Sequence, residues 1–137
     1  MSKFYLAGPM TGIAQFNFPA FYSAAAALRS RGLEIVSPAE LDQASGIADK
    51  AMASTDGRLT TSGIEQTWGD LLARDVKIVA DEVDGIIFLD GWQASRGARL
   101  EAFVGVLCGH EFFLYSAGGL HEITAAEVMG EICDVTD

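Results

Sequence analysis

The chain has 137 residues, 50% hydrophobic and 20% charged, with a net charge of −10. This is the composition of a folded globular protein, and its acidic balance argues against nucleic-acid binding, because a phosphate backbone repels a negative surface. The length favours one domain over residues 1–137; no run of about 18 apolar residues offers a membrane span, and MSKFYLAG lacks a signal peptide's basic-then-apolar layout, so a cytoplasmic protein is expected.

In chain order, Lys3 to Ala7 reads as a buried first strand, followed by the turn Gly8-Pro9-Met10-Thr11-Gly12. Two glycines around a proline let the backbone turn sharply and present N–H groups to a ligand, although a plain strand-to-helix connector has the same composition. It matches neither GxGxxG nor GxxxxGK[ST], so dinucleotide and P-loop binding lack support. Asn17 and Pro19 mark a helix start, and Phe21, Ala25 and Leu28 then share one face until Gly32. Leu33 to Val36 forms a second strand, giving a right-handed βαβ unit.

Residues 39–63 are rich in small and polar types with weak periodicity. The part from 42 to 63 reads as a partly helical lid or a surface excursion. From Ile64, the positions Trp68, Leu71, Leu72, Val76 and Val79 trace an apolar helical stripe, with Asp75 at its edge. A third strand, Gly85 to Leu89, leads into DGWQASRGARLE. This turn carries Trp92, Ser95, Arg96, Gly97 and Arg99, and the helix after it carries Glu101. Leu100, Val104 and Leu107 are expected to continue a buried face of that helix.

Glu111 to Tyr115 forms a fourth strand, with Ser116 to Gly119 as the loop at its end, and a final helix runs from about Glu122 to Cys133 with Ile123, Ala126, Met129 and Cys133 on one side. Cys108 and Cys133 have no CxxC spacing and are accompanied only by His110 and His121. They read as buried thiols, and neither a metal nor an organic cofactor is expected.

The expected fold is α/β, a flavodoxin-like or Rossmann-like parallel sheet of four or five strands with flanking helices. In such a sheet Tyr5, the first loop, the central turn and Ser116 all come to the carboxyl edge, where a nucleotide-sized ligand sits. Several residues there have two readings. Trp92 either stacks on a base or shields a subunit contact. Phe16 and Phe18 either line the pocket or pack beneath it, and Met10 is a packing residue or a pocket wall. Arg96 and Arg99 either neutralise an anion or pair with surface acids.

The combination YLAGPMTG, an RD on the helix before the third strand, and GWxxSxGARLE after it resembles the nucleoside 2-deoxyribosyltransferase superfamily, including small phage-associated relatives that share GPMTG and GARLE. The resemblance covers most of the chain except residues 42–63. It implies that Glu101 is the nucleophile attacking the anomeric carbon of a deoxyribose, that Tyr5 hydrogen-bonds and orients it, and that Asp75 assists departure of the base. Six residues before the nucleophile, transferases acting on free nucleosides carry an aspartate that meets the sugar 5′-hydroxyl. Relatives that hydrolyse 5′-monophosphates carry a phosphate-binding serine there, and this chain has Ser95. Those hydrolases also carry an arginine in the first loop, where this chain has Thr11, so phosphate recognition falls to Ser95, an arginine of the central turn, or Ser116 of a neighbouring copy.

The expected function is thus an N-glycosidase acting on a 2′-deoxynucleoside 5′-monophosphate. The alternatives are base exchange on free deoxynucleosides and nucleotide binding without catalysis. The resemblance also implies a homodimer or higher homo-oligomer.

Overall fold

A computed structural model describes residues 2–133. Strands β1 (Lys3–Ala7), β2 (Glu34–Val36), β3 (Gly85–Leu89), β4 (Glu111–Ser116) and β5 (Gly119–Ile123) form one sheet in the order β2-β1-β3-β4-β5. The first four are parallel and β5 is antiparallel to β4. This is flavodoxin-like winding with an antiparallel edge strand. That edge corrects the expectation at residues 116–119. Ser116 pairs with Gly119, and Ala117 and Gly118 have φ of 53° and 74°, as a hairpin turn of type I′ requires.

Alternation along β1 decides where the chemistry goes. Phe4 and Leu6 pack with Ile87 on one face of the sheet, against Phe21 and Leu28 of α1 (Phe18–Ser30). Tyr5 and Ala7 face the other side with Phe88. There they meet Val79 of α5 (Trp68–Asp81), Ala98 and Ala102 of α6 (Arg96–Leu107), and Val128 of α7 (Ala125–Cys133). Every residue of β3 is buried, as befits a central strand covered on both faces. Each fully buried Leu or Phe side chain here contributes roughly 1.5–3 kcal/mol.

α5 begins at Trp68 through a capping box. Thr67 Oγ1 accepts from the Asp70 N–H at 3.1 Å and Asp70 Oδ2 accepts from the Thr67 N–H at 3.0 Å. On α6 the expected buried face holds only for Val104, which packs half-buried against the core. Ala98, Glu101, Ala102 and Gly105 point inward, while Leu100, Phe103 and Leu107 are 40%, 38% and 71% exposed. Turning Glu101 toward the sheet rotates the two leucines to the outside, about 100° and about 120° around the helix from it. On α7 the inward residue is Val128, not Ala126 or Cys133, and both cysteines are exposed thiols and not buried ones. No helix among the described residues is long and apolar enough to cross a membrane.

The stretch between β2 and α5 contains α2 (Pro38–Ala44), α3 (Ala48–Ala53) and α4 (Leu59–Ser62). It is tied to the first loop: the Gly12 N–H donates to Gly57 O and the Gln15 N–H to Ser54 O, each at 2.8 Å. Gln15 Nε2 adds a bond to Met52 O at 3.1 Å. Gln15, Phe16 and Asn17 have φ of 58°, 51° and 61°, a left-handed turn costing roughly 1–2 kcal/mol per residue. The bonds to the excursion, and Asn17 Nδ2 donating to Pro9 O at 2.9 Å, hold it in place.

Gly57 is where the two segments touch. Its φ is +64°, and a Cβ there would lie 2.0 Å from Ile13 O. Gly57→Ala is therefore expected to cost at least about 2 kcal/mol, combining left-handed backbone strain with a backbone clash. Urea unfolding measures it, and an unchanged midpoint would mean that the excursion is not fastened through this contact.

Candidate active site

The carboxyl end of β1 and the turn after β3, together with α5, α6 and the excursion, line a cavity of about 570 Å³. This is the volume of a pocket for a nucleotide-sized molecule. At its wall the alternation of β1 places Tyr5, which is fully buried. Tyr5 Oη donates to Glu101 Oε2 at 2.8 Å. Glu101 is 6% exposed and Asp75 8%. A tyrosine and two carboxyl groups, from β1, α6 and α5, therefore share one water-poor corner of the cavity.

Burial dominates their protonation. Glu101 is held well above its ordinary range, first by loss of hydration and then by the charge of Asp75, against the opposing Tyr5 hydrogen bond and Arg74. Asp75 is pushed up to about 6, chiefly by burial, with Arg74 pulling the other way and Asp42 adding to the rise. Tyr5 is also raised, by burial and by the two carboxylates, and so remains a hydrogen-bond donor at all ordinary pH. Two carboxyl groups so coupled hold about one proton between them near neutral pH.

This has a consequence for stability. In the unfolded chain Asp75 ionises near its ordinary value of 3.8, whereas folded Asp75 keeps its proton to about 6. Stability is thus greatest below about pH 4 from this group and is lost as pH rises through 6, by roughly 3 kcal/mol. Denaturant unfolding of the wild type against Asp75→Asn checks it. The variant is expected to gain on the wild type from pH 4 to pH 7, and a pH-independent difference would contradict the shared, buried site.

The first loop contributes Gly8, Pro9, Met10 and Thr11 to the cavity wall, so Met10 is at the pocket, and Phe16 and Phe18 also line it. Gly12 does not line it, and its N–H donates to the excursion. From the central turn, Ser95, Arg96 and Gly97 line the cavity. Ser95 caps α6, its Oγ accepting from the Ala98 N–H at 3.1 Å, which leaves its own hydroxyl hydrogen to donate elsewhere. The Arg96 guanidinium lies 4.6 Å over the Trp68 ring.

Besides Gly12, three expected residues fall elsewhere. Trp92 neither stacks on a ligand nor covers a surface: it is 2% exposed and stacked on Phe88 at 4.1 Å, inside the core beneath α6. Arg99 lies outside the cavity lining, with its Nε buried and unpartnered. Ser116 belongs to the β4–β5 hairpin and does not line the cavity.

The excursion supplies what the sequence reading missed. Asp42, Ile47, Ala51, Arg58 and Leu59 all line the cavity. Asp42 is 6% exposed, and its Oδ1 lies 2.7 Å from Arg74 Nη1, an ion pair without the alignment of a hydrogen bond. Nothing in the ELDQ stretch around Asp42 signals burial. Arg74 carried a signal in being adjacent to Asp75. Among the described residues, no group of three or more His, Cys, Asp or Glu side chains is arranged to hold a metal ion.

A family model described as a domain of unknown function, DUF4406, matches residues 2–113, a stretch that includes every residue lining the cavity, and the chain belongs to that family. No curated protein and no solved structure matches it.

Proposed function

We propose that this DUF4406 member is an N-glycosidase that cleaves the base from a 2′-deoxynucleoside 5′-monophosphate through a glycosyl–Glu101 intermediate. The observation that carries the reading is the buried Tyr5–Glu101 hydrogen bond beside Asp75 at the wall of a nucleotide-sized cavity. The likeness of YLAGPMTG and GWxxSxGARLE to the nucleoside 2-deoxyribosyltransferase superfamily supports it.

Breaking an N-glycosidic bond builds positive charge on the sugar, which a carboxylate against the ring stabilises in the transition state. Glu101 Oε attacks C1′ as the C1′–N bond breaks. Asp75 delivers its proton to the departing base, a step that contributes about 10²-fold to 10⁴-fold. A water molecule then attacks C1′ of the glycosyl ester, giving its proton to the Asp75 carboxylate and releasing 2-deoxyribose 5-phosphate and free Glu101. The charge growing on the sugar favours an ionised Glu101, so the proton shared by the pair passes to Asp75, where the base needs it. Tyr5 keeps Glu101 in place, and the excursion shields the cavity from water.

Ser95 supports the monophosphate as substrate. Its free hydroxyl hydrogen, the first N–H groups of α6 and the guanidinium groups of Arg58 and Arg96 at the cavity wall suit a dianion. The test is chromatographic assay of free base from deoxynucleoside monophosphates and from deoxynucleosides, with and without an acceptor base. Release from the monophosphates without acceptor is expected. Exchange on free nucleosides alone would make it a transferase, and binding without turnover a sensor.

A further inference from the structure

Arg74 sits next to Asp75 on α5, yet its side chain does not extend into solvent. It is 25% exposed, and each of its nitrogens meets a carboxylate. Nε donates to Asp75 Oδ1 at 2.9 Å and Nη2 lies 2.8 Å from the same oxygen. Nη1 lies 2.7 Å from Oδ1 of Asp42, which α2 brings in from the excursion. All three residues line the cavity.

A buried chain of charges of this kind is seldom a net source of stability, since desolvation offsets the attraction. Its geometry nevertheless has a chemical effect. With two guanidinium nitrogens on Oδ1 of Asp75, a proton on that oxygen would point into N–H groups. The proton that Asp75 takes up therefore belongs on Oδ2.

We propose that Arg74 is the positioning residue for Asp75, anchored by Asp42 of the excursion, so that the Asp42–Arg74–Asp75 chain aims the protonated Oδ2 at the leaving base. This rests on the glycosidase reading given above. It makes the acid's orientation depend on the excursion packing against α5 through the Asp42–Arg74 pair. The charged and titratable groups around Asp75 are Tyr5 from β1, Arg74 on its own helix, Glu101 from α6 and Asp42 from α2. Arg74 is the one cation in that set, and it opposes the rise that burial imposes on Asp75.

The variants are Arg74→Met, Arg74→Lys, Asp42→Asn and Arg74→Met combined with Asp75→Asn, assayed on a deoxynucleoside monophosphate and on 4-nitrophenyl 2-deoxyriboside 5-phosphate, whose leaving group departs without a proton. Arg74→Met is expected to lower kcat on the nucleotide about 10-fold to 100-fold with KM little changed, the scale of a misaligned reacting group. It should leave the nitrophenyl substrate nearly unaffected and add nothing to the loss in Asp75→Asn. Asp42→Asn is expected to show a smaller loss of the same pattern. Equal losses on both substrates, or a further loss in the Asp75→Asn background, would overturn the proposal, because Arg74 would then act on the substrate itself.

A second reading needs no turnover. In the ligand-free protein, carbon-13 NMR of the Asp75 carboxyl should titrate near 6 in the wild type and higher in Arg74→Met. An unmoved midpoint overturns the proposal even in an active enzyme, whereas a moved midpoint in a protein that releases no base leaves the chain intact and removes the glycosidase reading alone. If Arg74→Met does not fold, Arg74→Lys serves in the kinetic measurement: it retains the charge and loses the two-point grip, and an unaltered kcat on the nucleotide would overturn the proposal.

Discussion

Glu101→Gln is expected to lower base release by on the order of 10⁴-fold or more, the scale lost when a covalent nucleophile is removed. Gln has the shape of Glu and accepts the same Tyr5 hydrogen bond, but it attacks C1′ poorly and carries no charge to stabilise the sugar cation. The fold is expected to gain from the change. Burial and Asp75 hold the Glu101 carboxyl well above its ordinary range, so ionising it costs stability. The variant should therefore melt no lower than the wild type at pH 8 while having lost activity. Loss of both together would mean that Glu101 is a structural group.

Ser95→Asp is expected to lower kcat/KM for a deoxynucleoside 5′-monophosphate by about 10²-fold to 10³-fold. A unit charge about 4 Å from another of the same sign costs about 4 kcal/mol at the effective dielectric of a protein surface, and the monophosphate is a dianion. Aspartate is as good a helix cap as serine, so it should keep the bond from the Ala98 N–H and leave α6 intact. On a free deoxynucleoside the loss should be less than about 5-fold. Parallel kinetics on the two substrates measure the difference, and equal losses would remove Ser95 from phosphate recognition.

What could be read from the sequence follows how locally each feature is determined. β1 and β3 are short apolar runs bounded by turns, and Pro19 marks the start of α1, so these elements stand where the pattern put them. The period of two along β1 was enough to send Tyr5 to the face opposite Leu6. α6 shows the reverse. Its apolar residues Leu100 and Leu107 point outward while Glu101 points in, where its carboxyl group meets the Tyr5 hydroxyl. Functional positions are where patterning is expected to fail.

A sheet of four or five strands is expected, but the place of the fifth is not legible, because Gly119 to Ile123 is short and only half-buried and Ala117 occupies a left-handed turn position that normally calls for Asn, Asp or Gly. Trp92 looked like a ligand-edge aromatic because its turn lies there, but its side chain folds back onto Phe88. Asp42 was invisible for a different reason. Its burial depends on a cation 32 residues further along the chain, and a pairing at that distance leaves no local trace.

The most direct test of the covalent mechanism is mass spectrometry of the protein after rapid quenching with a 2′-fluoro-2′-deoxynucleoside 5′-monophosphate, whose electronegative substituent slows hydrolysis of the glycosyl ester. A sugar-phosphate adduct on the peptide that contains Glu101, absent from Glu101→Gln, is the predicted result. Release of base with no adduct at any time, or with the adduct on another residue, would contradict the assignment of Glu101 as the nucleophile.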